Sequence, residues 1–321
     1  MGQIIYNIFT NSLNLGLIYA VLGLGVFISF RILDIADLGT EGVFPLGGAL
    51  TILLLTLDVP PIFVLFIVTI AGALMGLITS LLHTKLKIPS LLAGIITMVL
   101  CIPLAQLFNG LTTFSLGFDK PGGFVGSITL IGQKQTFYAF LVGFLGEWGY
   151  ILTTFLAIIV IIGLLYWFFG TEIGISLRAT GHNKIMAQAQ SLNTDRRVIL
   201  GLMLSNGLVA LSGSLFSQFM RTSNSTFGQG TIVIALASIL LGEAIFFFKN
   251  QHFALKLTSV FAGAFAYQLV INIAMRILNN NGYLKIVQAI LFVLILCIPL
   301  VQKKLFNRRL KNTNKGVESH A

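Results

Sequence analysis

Residues 11–50 read NSLNLGLIYAVLGLGVFISFRILDIADLGTEGVFPLGGAL. The apolar run 8–30 that contains the first half of this stretch carries no charged residue. A helix needs about 20 largely apolar residues to cross the hydrocarbon core, so this run is long enough to span it. Arg31 follows at once, and then three acids, Asp34, Asp37 and Glu41, fall within eight positions. An acid at the bilayer centre costs about 2.5–3.5 kcal/mol. Three facing lipid would cost on the order of 10 kcal/mol, so they must lie at the interface or inside protein. Gly39, Gly42, Pro45, Gly47 and Gly48 argue against an uninterrupted helix. The stretch 31–48 is therefore expected to be a broken or re-entrant element, its backbone satisfied by protein or a water-lined cavity. Membrane carriers place substrate pathways beside such breaks. The competing reading is an ordinary interfacial loop.

The whole chain repeats the character of this opening. Apolar residues make up 56% of 321, charged residues 9%, and the mean hydropathy is +0.94. A soluble chain carries about 25% charged residues to cover its surface. This composition defines an all-α, polytopic transmembrane helical bundle. Apolar runs occur near 8–30, 43–57, 61–82, 88–108, 150–169, 198–219, 230–248, 253–275 and 283–301, so about nine spans are expected, within a range of eight to ten. No Lys or Arg precedes Arg31, so a cleavable signal with a basic start is not expected, and the first run is read as a retained span.

Orientation follows from the placement of Lys and Arg. Arg31, Lys85, Lys87, Arg178, Lys184, Arg196, Arg197, Lys249 and Lys256 fall in alternate connections, and the tail adds Lys303, Lys304, Arg308, Arg309, Lys311 and Lys315 on the same side. The other side holds Lys120, Lys134, Arg221, Arg276 and Lys285. Fifteen cations against five make the first side cytoplasmic, with the N-terminus outside and the C-terminus inside. The net charge of +10 is then this bias plus a basic tail, residues 302–321, that can rest on anionic headgroups. Nucleic acid is not an expected partner, because the cations form no single surface. Residues 1–301 read as one transmembrane domain with two long connections, an external one near 109–149 and a cytoplasmic one near 170–197.

The cytoplasmic connection reads TEIGISLRATGHNKIMAQAQSLNTDRR, residues 171–197, with Gly174 and Gly181 as breaks. Residues 183–190 can form a short amphipathic helix with Ile185, Met186 and Ala189 on its apolar side. Such a helix on the cytoplasmic face can be gripped by a partner; the alternative is a solvated loop. Within the spans, Asn206, Gln218, Gln268 and Asn272 join Asp34, Asp37 and Glu41 as candidate path-lining residues. Gln268 and Asn272 are four apart and share a helix face, as do Ser205 and Ser212 at a spacing of seven. Each equally suits an interhelical hydrogen bond. Cys101 and Cys297 sit in apolar runs, and the four histidines are scattered, so neither a metal site, a cofactor nor a catalytic set is expected. No Walker-type phosphate loop occurs, so the chain itself is not expected to bind ATP.

The stretches 11–50 and 171–218 carry a family resemblance. The first resembles the opening of ATP-binding-cassette (ABC) importer permeases for branched-chain amino acids and their ribose- and nucleoside-type relatives. A closer likeness is to a bacterial branch of uncharacterised permeases that includes assigned tryptophan and tyrosine importers. There a segment like FRILDIADLTVEGSFPLG is followed by LRATGHN, an Asn-Thr-Asp step, LGLMLSNGLVALSGSL and a Gln, a pattern that residues 30–48 and 171–218 carry closely. This resemblance implies a homodimer of permeases in the bacterial cell membrane, two cytoplasmic ATPase subunits that bind Mg-ATP, and an extracytoplasmic substrate-binding lipoprotein. It implies a coupling helix within 172–197, with Gly174, Arg178, Gly181, Asn183, Met186, Ala187 and Asn193 in the coupling segment. The implied cargo is an aromatic or branched-chain amino acid, with a nucleoside or sugar as the other choices. The region 100–136, which contains CIPLAQLFNGLTTFSLGFDKPGGF, departs from the pattern of close relatives. Two other classes are weighed against this one: an ion-coupled carrier, and an intramembrane lipid-modifying enzyme.

Overall fold

The computed structural model describes residues 2–116, 123–130, 136–138, 146–246, 253–278 and 286–295. Helix α1, Gly2–Val26, runs into a π-helical segment, Phe27–Ile32. After a non-helical break come α2, Thr40–Thr56, α3, Pro61–Thr84, and α4, Ser90–Ser115. A short strand β1, Ser127–Thr129, precedes α5, Glu147–Gly170. Two short helices, α6, Glu172–His182, and α7, Lys184–Ala189, lead into α8, Thr194–Met220. Strand β2, Thr222–Asn224, and a 3-10 turn, Ser225–Gly228, precede α9, Thr231–Ile245. The described chain closes with α10, Phe253–Leu278, and α11, Ile286–Ile295.

Seven of these helices are long and apolar enough to cross a membrane, and α2 and α11 are shorter apolar helices. Every apolar run read from the sequence carries one of these nine elements. α4 continues to Ser115, past the run that ended near 108. The last run, 283–301, is described only over 286–295, and the tail 302–321 and Cys297 lie outside the described residues.

Apolar side chains gain nothing by leaving lipid for each other, so close backbone approach and hydrogen bonds must hold such helices together. Helices α1 and α8 form the centre, with 78% and 72% of their apolar windows buried, against 28% for each of α3, α4 and α5. Glycines set the contacts. A Cβ at Gly25 would meet the Ser205 carbonyl, one at Gly72 the Asn206 carbonyl, and one at Gly16 the Phe265 backbone. Serines then bond across the seams: Ser205 Oγ donates to Gly25 O at 2.7 Å, and Ser212 Oγ to Ile18 O at 2.8 Å. The pairs Ile18–Ser212 and Gly25–Ser205 show α1 and α8 antiparallel, and the same holds for α1 and α10 through Ser12–Asn272 and Gly23–Val260.

β1 and β2 pair antiparallel, Ser127 opposite Asn224 and Thr129 opposite Thr222, at the end that the charge bias assigns to the outside. The long external connection is thereby tied to the segment following α8.

The broken element is narrower than expected. Helix α2 continues through Gly42, Pro45, Gly47 and Gly48, and the non-helical backbone is confined to 33–39. These glycines are contact points. A Cβ at Gly42 would meet Met98, one at Gly47 Ala210, and one at Gly48 the Ser217 hydroxyl. Pro45 has no N–H to offer the Glu41 carbonyl, and that carbonyl abuts Gly228, where any side chain would collide.

Candidate functional site

The break begins as a widening of α1. Leu33 N donates to Ile28 O at 3.0 Å and Ile35 N to Ser29 O at 2.9 Å, so the helical ladder loosens before it ends. Such π-type turns recur where helices carry function. Asp34 then takes a left-handed conformation, φ 57°, and is exposed. Asp37 is buried: Gly39 N donates to its Oδ1 at 2.8 Å and Asn206 Nδ2 to its Oδ2 at 2.7 Å. Asn206 stands at the middle of the 27-residue α8, so Asp37 hangs halfway along that helix. The Asn206 Oδ1 is buried and has no partner among the described residues. Gly94 of α4 seats this loop, since a Cβ there would meet Leu38 N.

Glu41 has a different job. Its Oε1 accepts from Gly230 N at 3.0 Å, so it lies against the N-terminus of α9, where a negative charge is favourable. Arg31, just before the break, pairs with Glu243 in the last turn of α9. The cluster read from sequence is thus dispersed: Asp34 to the surface, Asp37 to α8, Glu41 to α9.

The remaining candidates separate as well. Gln218, near the far end of α8, accepts from Phe137 N at 2.7 Å and contacts Ser214 Oγ at 3.4 Å. Gln268 is buried in α10, and Asn272 donates to Ser12 Oγ of α1 at 2.9 Å. Asp37 and Asn206 are the candidates brought into direct contact. An apolar groove of about 910 Å³ runs between α3, α5 and α8, lined by residues such as Leu65, Phe66, Val160 and Leu208; none of the seven candidates lines it.

The connection 170–197, which the charge bias assigns to the cytoplasm, folds into two helices, and the expected amphipathic helix over 183–190 is α7, Lys184–Ala189. Two asparagines cap helices in series. Asn183 Oδ1 accepts from Met186 N at 3.0 Å, and Asn193 Oδ1 from Arg196 N at 3.1 Å. Ala187 is buried, while Ile185 and Met186 are 81% and 62% exposed. Arg178 turns inward. Its Nη2 donates to Phe169 O at 3.1 Å and its guanidinium lies 5.0 Å from the Phe253 ring centre, fastening α6 to the ends of α5 and α10. Gly174 is pressed on the Phe169 backbone and Gly181 on the Ile32 carbonyl, so α6 abuts the start of the break.

Residues that the sequence reading did not count as site candidates include Glu243, paired with Arg31, and Ser214, which accepts from Thr51 Oγ1 at 2.7 Å. Glu243 had a signal: an acid at the inner end of a span needs a nearby cation. Ser214 had none, because a buried serine in a span is equally at home bonding its own helix.

The chain belongs to the family described as branched-chain amino acid transport system, permease component, whose pattern matches residues 8–296. It is an integral membrane protein and a permease component of a transport system. It is similar to a tyrosine transport system permease protein of Clostridioides difficile, 32% identical over 298 residues that cover 93% of this chain and 92% of that one. An uncharacterized protein of Rickettsia prowazekii is 29% identical over 88% of this chain and 95% of its own length. A ribose import permease protein of Haemophilus influenzae is 23% identical over 70% of this chain and 64% of its own length. No solved structure matches the chain.

Proposed function

We propose that this chain is the membrane-spanning subunit of an ATP-driven importer in a bacterial cell membrane, moving an aromatic or branched-chain amino acid and powered by a separate ATPase. The observation that carries the reading is α7: a capped helix on the cation-rich side, with Ile185 and Met186 presented outward, next to a helix that abuts the break. Exposed apolar residues at a water-facing helix mark a docking surface. A push on α7 reaches α6, and α6 meets the Ile32 carbonyl through Gly181 with no side chain between. The cargo reading takes its support from the named relatives, a tyrosine permease foremost. A second copy of the chain and an extracytoplasmic binding protein complete the assembly in this reading, and the chain hydrolyses nothing itself.

The test is co-purification of the membrane-embedded chain with the ABC ATPases of its own cell, with a photo-crosslinking residue at position 185. Cross-linking to the ATPase supports the reading. Co-purification without any cross-link at 185 would move the docking surface elsewhere, and absence of any associated ATPase would favour an ion-coupled carrier.

A further inference from the structure

We infer that the Arg31–Glu243 ion pair is a latch on the cytoplasmic side of the fold, opened and closed by the position of α6. The inference rests on the importer reading above and adds the element that moves. Arg31 Nε donates to Glu243 Oε1 at 2.8 Å and Nη2 to Oε2 at 2.7 Å, a two-point contact that fixes the angle as well as the distance. The partners come from different elements: Arg31 from the last turn of the π segment ending α1, Glu243 from the last turn of α9.

Both side chains stay wet, 51% and 35% exposed. A pair so placed is weak and reversible. The buried Asp37–Asn206 bond is its opposite, since parting it would leave a polar oxygen of Asp37 without that partner and away from water. α9 is therefore tied to the stretch 31–41 at both ends, by Glu41 at its N-terminus and by Arg31 at its C-terminal turn, and the latter tie is the one solvent can replace.

The backbone beside Arg31 is also where α6 presses. The Ile32 carbonyl occupies the space a Gly181 side chain would need, and the Leu33 side chain covers Gly201 of α8. Movement of α6 is passed to Ile32 without a flexible side chain to absorb it, and Arg31 moves with its neighbour. The cytoplasmic end of α9 is then released while Glu41 holds its other end and Asp37 stays fixed to the midpoint of α8. Opening one end while the centre stays closed is what exchange between two access states demands.

The experiment uses the full permease assembled with its ATPase in nanodiscs, carrying Arg31→Cys and Glu243→Cys in a background with Cys101→Ala and Cys297→Ala. A short bis-maleimide is expected to join the two cysteines without nucleotide, and at least about fivefold more slowly with ATP and vanadate trapped. In the cysteine-intact assembly, Arg31→Glu or Glu243→Arg alone lowers ATP-driven uptake of labelled tyrosine about fivefold, and the double swap restores it to within about twofold. Equal cross-linking in both nucleotide states, or a swap no better than the single changes, would overturn the latch. Assembly of the unaltered chain with the ATPase is scored first; its failure removes the importer reading and the latch together, whereas a nucleotide-insensitive pair in an assembled, active complex removes the latch alone.

Discussion

Asp37 accepts a hydrogen bond from Asn206 at 2.7 Å, and this bond joins the broken segment after α1 to the midpoint of α8. No cation among the described residues forms an ion pair with this carboxyl group, so its hold on the fold is through hydrogen bonds. Asp37→Ala would strand the Gly39 N–H and leave the Asn206 amide with only its bond to Leu202 O, at a cost of about 1–3 kcal/mol. Asp37→Asn keeps one acceptor and supplies a donor that the unpartnered Asn206 Oδ1 can take after an amide flip. Thermal melting in nanodiscs is expected to place Asn well above Ala. Equal melting of the two would show that the pair does not pin the break.

Gly181 and Gly163 give a matched contrast. A methyl group at Gly181 would strike the Ile32 carbonyl, while one at Gly163 in α5 meets nothing within 4 Å. Gly181→Ala is expected to lower stability by about 1–3 kcal/mol through overpacking against backbone. Gly163→Ala should be neutral or stabilising by up to about 1 kcal/mol, from helix propensity. Melting curves of the two variants decide it, and a harmless Gly181→Ala would separate α6 from the break.

Arg178 and Ile185 are expected to fail in different ways. Arg178 faces Phe169 and Phe253 inside the chain, so Arg178→Glu should lower the melting temperature as well as ATPase co-purification. Ile185→Asp with Met186→Asp alters two exposed side chains and should abolish co-purification while melting is unchanged. A parallel loss of stability in both variants would mean that α7 is structural.

Ser205 and Ser212 bond the α1 backbone at separate carbonyls, those of Gly25 and Ile18. Each Ser→Ala change should cost about 0.6 kcal/mol, the usual worth of an interhelical bond in a membrane. The sites are two turns apart on α8, so the double variant should show near-additive loss. A much larger loss at Ser205 alone would point to a role beyond packing.

The helices were legible because span length and absence of charge are properties of the chain itself. The break was legible in outline: three acids after an apolar run cannot all face lipid. Its extent was not, because Gly42, Gly47 and Gly48 look alike in sequence whether a glycine ends a helix or lets a neighbour approach, and the neighbours Met98, Ala210 and Ser217 are far away in the chain. The scattering of Asp34, Asp37 and Glu41 was hidden for the same reason, since their partners Asn206 and Gly230 lie more than 160 residues onward. In the connection 170–197, the amphipathic pattern located α7 well. It gave no sign that Arg178 turns inward, because an arginine stacked on a phenylalanine and an arginine in water leave the same letter.

Energy source separates an importer subunit from an ion-coupled carrier most directly. The chain, reconstituted in liposomes with the proposed ATPase and binding protein, is to be assayed for uptake of labelled aromatic and branched-chain amino acids with ion gradients collapsed. Uptake that requires ATP on the side of α7 and survives ionophores is the expected result. Uptake that proceeds without ATP and vanishes when the gradients are dissipated would contradict the role assigned to α7 and the coupling segment.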